Sequence, residues 1–166
     1  MKIAVRHRFD CTVDQFWEMY WDPTFEAQMQ KEAGISREIL DEKREGHIVT
    51  RRVRITPDRE LPGAVAALLG SKKLIYEQEN RWDEEKRVLH WKVIPNVLPG
   101  KLQAGGTVTV RPAGTGCEQV VEGNIDVKVM LIGGRIEQGV VDEVTKSYDR
   151  TAASCRRWLE EKGVSS

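Results

Sequence analysis

The chain has 166 residues, of which 26 are basic and 26 acidic, so its formal charge at neutral pH is zero. No global field draws such a protein to nucleic acid or to an acidic membrane surface, and no apolar run reaches the roughly 20 residues of a bilayer span. The cysteines, Cys11, Cys117 and Cys155, are odd in number and far apart, which fits reduced thiols better than a disulfide framework or a zinc site. The length is that of one domain covering 1–166. The opening MKIAVRHRFD reads as a charged alternating strand and not as a signal peptide, so the expected setting is the cytoplasm.

In that first strand Ile3, Val5, His7 and Phe9 alternate with Ala4, Arg6 and Arg8. Thr12 with Gln15 three residues on forms a capping box, which starts a helix carrying Val13, Phe16, Trp17 and Tyr20. Asp22-Pro23 breaks it and begins a second short helix with Phe25, Met29 and Ala33, closed by Gly34. Hairpin punctuation then separates six strand-like runs: 35–43, 47–56, 73–83, 87–94, 102–111 and 117–129. Two interruptions break the meander. PDRELPGAVAALLG at 57–70 contains a short apolar helix, and PNVLPG at 95–100 is a proline-bounded loop. Both carry leucine and valine that loops usually avoid, so both read as flaps over something apolar.

The chain closes with a proline-free stretch from Leu131 to about Lys162, followed by Gly163, which predicts one long helix. Val141, Val144, Tyr148, Ala152, Cys155 and Leu159 form its apolar stripe. Traced backwards, that face meets Glu137, Gly134 and Met130. Gly133, Gly134 and Gly139 each cost roughly 1 kcal/mol in a helix interior, so they suggest a cavity or a very close backbone contact with a sheet beneath the first turns, unless they simply ease the sharp entry from strand into helix. A sheet with one apolar face needs a cover, and this helix is long enough to provide it. The expected fold class is α+β: a curved seven-stranded antiparallel sheet around a long C-terminal α-helix, with two short helices after the first strand.

This element order resembles the START-like superfamily and its helix-grip fold, and within it a bacterial branch known only as a domain of unknown function. The resemblance rests on HRFDCTVDQFWEMYWDPTF, LPGAVAALLG, GGTVTVRPAGTG and LIGGRIEQ, and it spans nearly the whole chain. It implies an internal apolar cavity for a lipid, sterol, polyketide or similar molecule, without saying whether the ligand is carried, sensed or converted.

Strand alternation supplies the inward face. Val53, Trp91 and Val127 are among its apolar members, while His7, Arg51, Tyr76, Gln78, Asn80 and Gln119 are polar. Buried polar groups cost about 1–3 kcal/mol when unpaired, so these should be paired or should face a ligand. The candidate ligand-binding residues are therefore Arg51, Val53, Tyr76, Gln78, Trp91 and Gln119 from the sheet. Leu61, Val65, Leu68, Leu69, Val97 and Leu98 join them from the flaps, and Gly134, Glu137 and Val141 from the long helix. Arg51 and Glu137 would form a charged pair or grip a ligand head group. Trp17, Tyr20, Trp21 and Phe25 read as a core cluster.

His7, His47 and His90 lie on separate strands with no cysteine cluster near them, so no metal site is expected, and no phosphate loop, nucleophile elbow or dinucleotide fingerprint implies a cofactor. The expected function is non-catalytic binding or transfer of a hydrophobic small molecule. One alternative is a polyketide cyclase- or dehydratase-like enzyme moving protons with Glu137, His7 or Tyr76. The other is an interaction module like the chaperone-activating members of the superfamily. The partners expected are a hydrophobic ligand and a transient membrane contact through 57–70 and 95–100, with the oligomeric state open. A cavity of roughly 300 Å³ separates ligand binding from the interaction module.

Overall fold

The structure, a computed structural model, describes residues 1–95, 98 and 100–163. In chain order these form β1 (Lys2–Phe9), α1 (Val13–Tyr20), α2 (Pro23–Ala33), β2 (Ile35–Glu45), β3 (Ile48–Pro57), α3 (Gly63–Leu69), β4 (Tyr76–Asp83), β5 (Val88–Pro95), β6 (Leu102–Ala113), β7 (Gly116–Val127) and α4 (Gly133–Glu161). The seven strands make one curved antiparallel sheet in the order β1-β7-β6-β5-β4-β3-β2, with the first strand returning beside the last. The helix-grip arrangement expected from the sequence is the arrangement observed.

Local chemistry sets the boundaries. The nitrogen of Gln15 donates to Thr12 Oγ1 at 3.1 Å and that of Thr12 to Gln15 Oε1 at 2.9 Å, so the capping box opens α1 on schedule. Asp22 caps α2 by accepting from the nitrogen of Thr24 at 2.8 Å, Pro23 occupies the first turn, and Gly34 ends the helix at φ 68°. The inward alternation holds across the sheet: Ile3, Val5, Phe9, Val49, Val53, Ile55, Leu89, Val121 and Ile125 are all buried. The aromatic cluster is core. Trp17 and Trp21 lie 4.5 and 5.2 Å from Trp82 on β4, and Phe25 meets Trp158 edge-on at 5.6 Å.

α4 packs on α2, α3, β7 and β1. Its first turns differ from the sequence expectation. The buried side runs through Gly133, Ile136 and Val140, while Gly134 is exposed and Met130, before the helix, is 88% exposed. The reason is a close backbone approach where the chain passes from β7 into the helix. A Cβ on Gly133 would lie 2.5 Å from the carbonyl oxygen of Val127, so the helix is seated on β7 by that glycine and the buried face turns by one residue. Further along, no α4 residue between Val140 and Ala152 is fully buried. There the helix stands off the sheet.

Candidate functional site

Space opens under that middle stretch of α4. An inner cavity of about 100 Å³ lies among α2, β2 and α4, walled by Phe25, Met29, Ile55, Gln119, Tyr148 and Cys155 among others. A second lobe of about 50 Å³ continues towards α4's first turns over Trp91, Val93, Leu102, Ile125 and Val140. Tyr76, Gln78, Val144 and Tyr148 line both, so they are the partition between them. A side lobe of about 40 Å³ reaches Leu61 and Leu74. A groove of about 180 Å³ between the α1–α2 junction and the inner face of β2–β5 shares Tyr20, Glu26 and Arg37 with the inner cavity. A larger hollow, about 410 Å³ beside Asp14, Glu18 and Arg87, is an open surface depression and lies away from the sheet–helix interior. The three interior lobes, singly and taken together, are below the roughly 300 Å³ of a small-molecule pocket, and they share wall residues.

The second lobe owes its floor to glycine. Gly106 and Gly123 face each other across β6 and β7, where a Cβ on Gly106 would collide with the Glu122 carbonyl oxygen and one on Gly123 would lie 2.6 Å from Trp91 Cζ2. The absent side chain of Gly123 lets the Trp91 indole lie across the inner surface of the sheet.

One polar knot sits on the partition between groove and cavity. Arg37 projects from β2 with its side chain 18% exposed, and its Nη1 lies 3.3 and 3.5 Å from the two carboxylate oxygens of Glu26 on α2. Its Nε is buried without a hydrogen-bond partner among the described residues, as is Trp91 Nε1 beside the second lobe. Burial works against the Arg37 charge, but the Glu26 carboxylate beside it works the other way, and the guanidinium pKa ends above its usual value. Tyr20, Tyr76 and Tyr148 line the same cavity. Burial pushes the hydroxyls of those three tyrosines up, although Arg37 pulls each the other way. They are therefore protonated at physiological pH and can donate hydrogen bonds. Gln78 Nε2 donates to Asn80 Oδ1 at 2.6 Å, satisfying that pair locally.

The sequence-derived candidates divide by place. Tyr76, Gln78, Trp91 and Gln119 line the interior, and Leu61 lines its side lobe. Val53 and Arg51 line the groove under the α1–α2 junction. Arg51 does not meet Glu137. It donates from Nε to Glu42 at 3.1 Å and lies 5.3 Å over the Trp21 ring, whereas the Glu137 carboxylate accepts from the backbone nitrogen of Val127 at 2.9 Å. Glu137 faces the strand end because the turn of α4 described above carries it off the inward face. Val65, Leu68, Leu98 and Val141 pack partly buried against the core, and Leu69 is buried in it. Gly134 has open space where its Cβ would be, and Val97 lies outside the described residues. Arg37, Glu26, Tyr20 and Tyr148 are not among the site residues that the sequence suggests. A signal for Arg37 is there all the same: Ile35, Arg37 and Ile39 alternate along β2, which puts an arginine on the same side as Ile35.

Comparison with known proteins agrees with the architecture. The ZhuI aromatase/cyclase of a Streptomyces species (R1128) superposes with a TM-score of 0.66 at 12% identity, over 98% of this chain and 96% of that one. A START superfamily protein of Mycobacterium smegmatis gives 0.60 at 12% identity, over 96% and 97%. A protein of Thermus thermophilus gives 0.63 at 16% identity, over 93% and 96%. At such identities the likeness is one of fold. No curated protein matches the sequence. A family model described as "Protein of unknown function (DUF2505)" matches residues 4–159, almost the entire chain. The chain therefore belongs to the DUF2505 family, and its fold is the START-like helix grip.

Proposed function

We propose that the protein binds, and in the course of its work transfers, a hydrophobic small molecule held between the sheet and α4, the chain acting as one ligand-binding domain in the cytoplasm. The observation that carries this reading is the unsealed middle of α4: Val144 and Tyr148 stand over two adjacent lobes, divided by shared side chains and walled mainly by apolar surface, where a closed core would be packed flat. Filling both lobes at once requires Tyr76 and Tyr148 to turn aside, and side-chain rotation of that kind is fast compared with binding. Tyr76, Gln78, Trp91, Gln119 and Tyr148 would touch the ligand, and Val53 and Arg51 would border its route.

Acid–base catalysis has less support. His7 Nε2 lies 2.9 Å from Asp149 on the outer side of α4, and Glu137 is engaged with the β7 backbone, so neither faces the lobes that Tyr76 lines. Membrane contact during transfer is a further part of the proposal. The flap residues Leu61 and Leu69 are turned inward, and among the described residues the large apolar side chains most open to solvent are Met130 and Leu131, at 88% and 98%.

The test is to extract the freshly purified protein with organic solvent and to weigh the intact protein by native mass spectrometry. A stoichiometric hydrophobic species is expected. A protein of bare mass, whose melting temperature does not move with any of a panel of fatty acids, sterols and aromatic polyketides, would remove the proposal.

A further inference from the structure

We propose that the ligand is an amphiphilic carboxylic acid, its carboxylate bound by Arg37 at the partition between groove and cavity and its tail lying over Trp91. This rests on the binding reading above and names the chemistry of that same site.

Three observations converge on Arg37. It lines both the groove under α1–α2 and the cavity under α4, and it and Glu26 are partly exposed, so a head group bound there keeps contact with water while the tail lies inside. That division suits an amphiphile, because a carboxylate carried deep into an apolar lobe would lose its hydration with no partner. Arg37 also has unused capacity. Its contacts to Glu26, at 3.3 and 3.5 Å, are long for a charge-assisted pair, and its Nε has no partner among the described residues. A planar carboxylate accepts from Nε and a terminal nitrogen of one guanidinium in parallel. Finally, the surroundings are rich in donors: Tyr20, Tyr76 and Tyr148 line the same cavity as Arg37, and Glu26 is the acidic side chain there. Glu26, one third exposed, can swing to solvent and leave the guanidinium to the ligand.

For the tail, Val93, Leu102, Ile125, Val140 and Val144 surround the Trp91 indole. None carries a charge, so the ligand's far end should be hydrocarbon or aromatic.

The experiment compares a series from octanoic to hexadecanoic acid with the methyl esters of the same chains. Binding to the delipidated protein at neutral pH is followed by tryptophan fluorescence and calorimetry. The acid should bind at least about tenfold tighter than its ester. Arg37→Gln should erase that preference while leaving ester affinity within about twofold, and Arg37→Lys should keep part of it. Glu26→Gln should strengthen acid binding, a change of opposite sign that general loss of packing cannot produce. If Arg37→Gln does not fold, Arg37→Lys and Glu26→Gln still decide the matter. Acid and ester binding equally well would overturn the carboxylate assignment and leave the binding reading standing. Binding of neither, across the series, would overturn the carboxylic-acid assignment and leave the binding reading to the sterols and polyketides of its own test.

Discussion

Gly123 is glycine because the Gly105 carbonyl and the Trp91 indole lie where its side chain would be. Gly123→Ala puts a methyl against the Gly105 oxygen and 2.6 Å from Trp91 Cζ2, so β6 and β7 must separate and the indole must shift. Overpacking of this kind costs about 1–3 kcal/mol, and a lower urea midpoint together with a changed tryptophan emission is expected. The thiols offer a second check. Cys11, Cys117 and Cys155 are all free and buried, at 0%, 1% and 3% exposure, and burial pushes the Cys155 thiol up to about 12. An aromatic disulfide reagent should therefore modify none of them in the native protein and all of them in denaturant. Rapid labelling under native conditions would contradict the packing. Carboxylates govern the acid limb of stability. Arg111, helped by Arg8 and Arg6, holds Glu118 below its ordinary 4.5. The nitrogens of Lys86 and Glu85, with His47, hold Asp83 below its ordinary 3.8. Because their folded values lie below the unfolded ones, their stabilisation is complete above about 4.5 and fades as pH falls through the lowered values. The denaturation midpoint should be level towards neutral pH and drop below that point, and Glu118→Gln should remove part of the drop.

Among the helices, α1 and α2 depend on their first residues and α4 on its seat. Thr12→Ala or Asp22→Ala removes a side-chain acceptor from an otherwise unpaired helical nitrogen. Each should cost about 1 kcal/mol of stability, read as a fall in melting temperature without loss of the fold. Gly133→Val should act differently. Its side chain would collide with the Val127 carbonyl and pull α4 away from β7, breaking the bond between Glu137 and the Val127 nitrogen. Hydrogen exchange should accelerate in the first turns of α4 and at Val127, while the helix beyond Ala152 keeps its protection. Gly139 has a related role against α3, where a Cβ would stand 2.9 Å from Val65 Cγ2. Both glycines let neighbouring elements approach, and neither marks the floor of a cavity.

At the scale of the whole molecule, the sheet and α4 hold apart what a smaller core would close. The protein keeps α4 in contact at both ends, at Ile136 and Val140 and again from Ala152 to Leu159, and leaves the middle to half-buried Val144 and Tyr148. A ligand that binds only the folded state stabilises it by an amount set by its concentration, about 2.7 kcal/mol at a hundred times its dissociation constant. The melting temperature of the delipidated protein should therefore climb with the logarithm of ligand concentration. Substituting Trp for Val144 should fill the junction between the lobes and abolish that dependence while the unliganded protein stays folded.

Periodicity and punctuation determined the fold. Alternation, capping residues, hairpin turns and a proline-free helical run are local signals, and they placed the strands, both short helices and α4 within a few residues of where they lie. They also put Tyr76, Gln78, Trp91 and Gln119 on the inner face. Tertiary structure alone decided which polar side chains meet. A turn of one residue at Gly133, caused by contact with the carbonyl that ends β7, carried Glu137 out of the interior, and Arg51 went to Glu42 and Trp21. Arg37 and Glu26 sit on different elements, and only the packing of α2 against β2 brings them together beside the three tyrosines. Alternation specifies a face, whereas a partner depends on distances between elements that no local pattern contains.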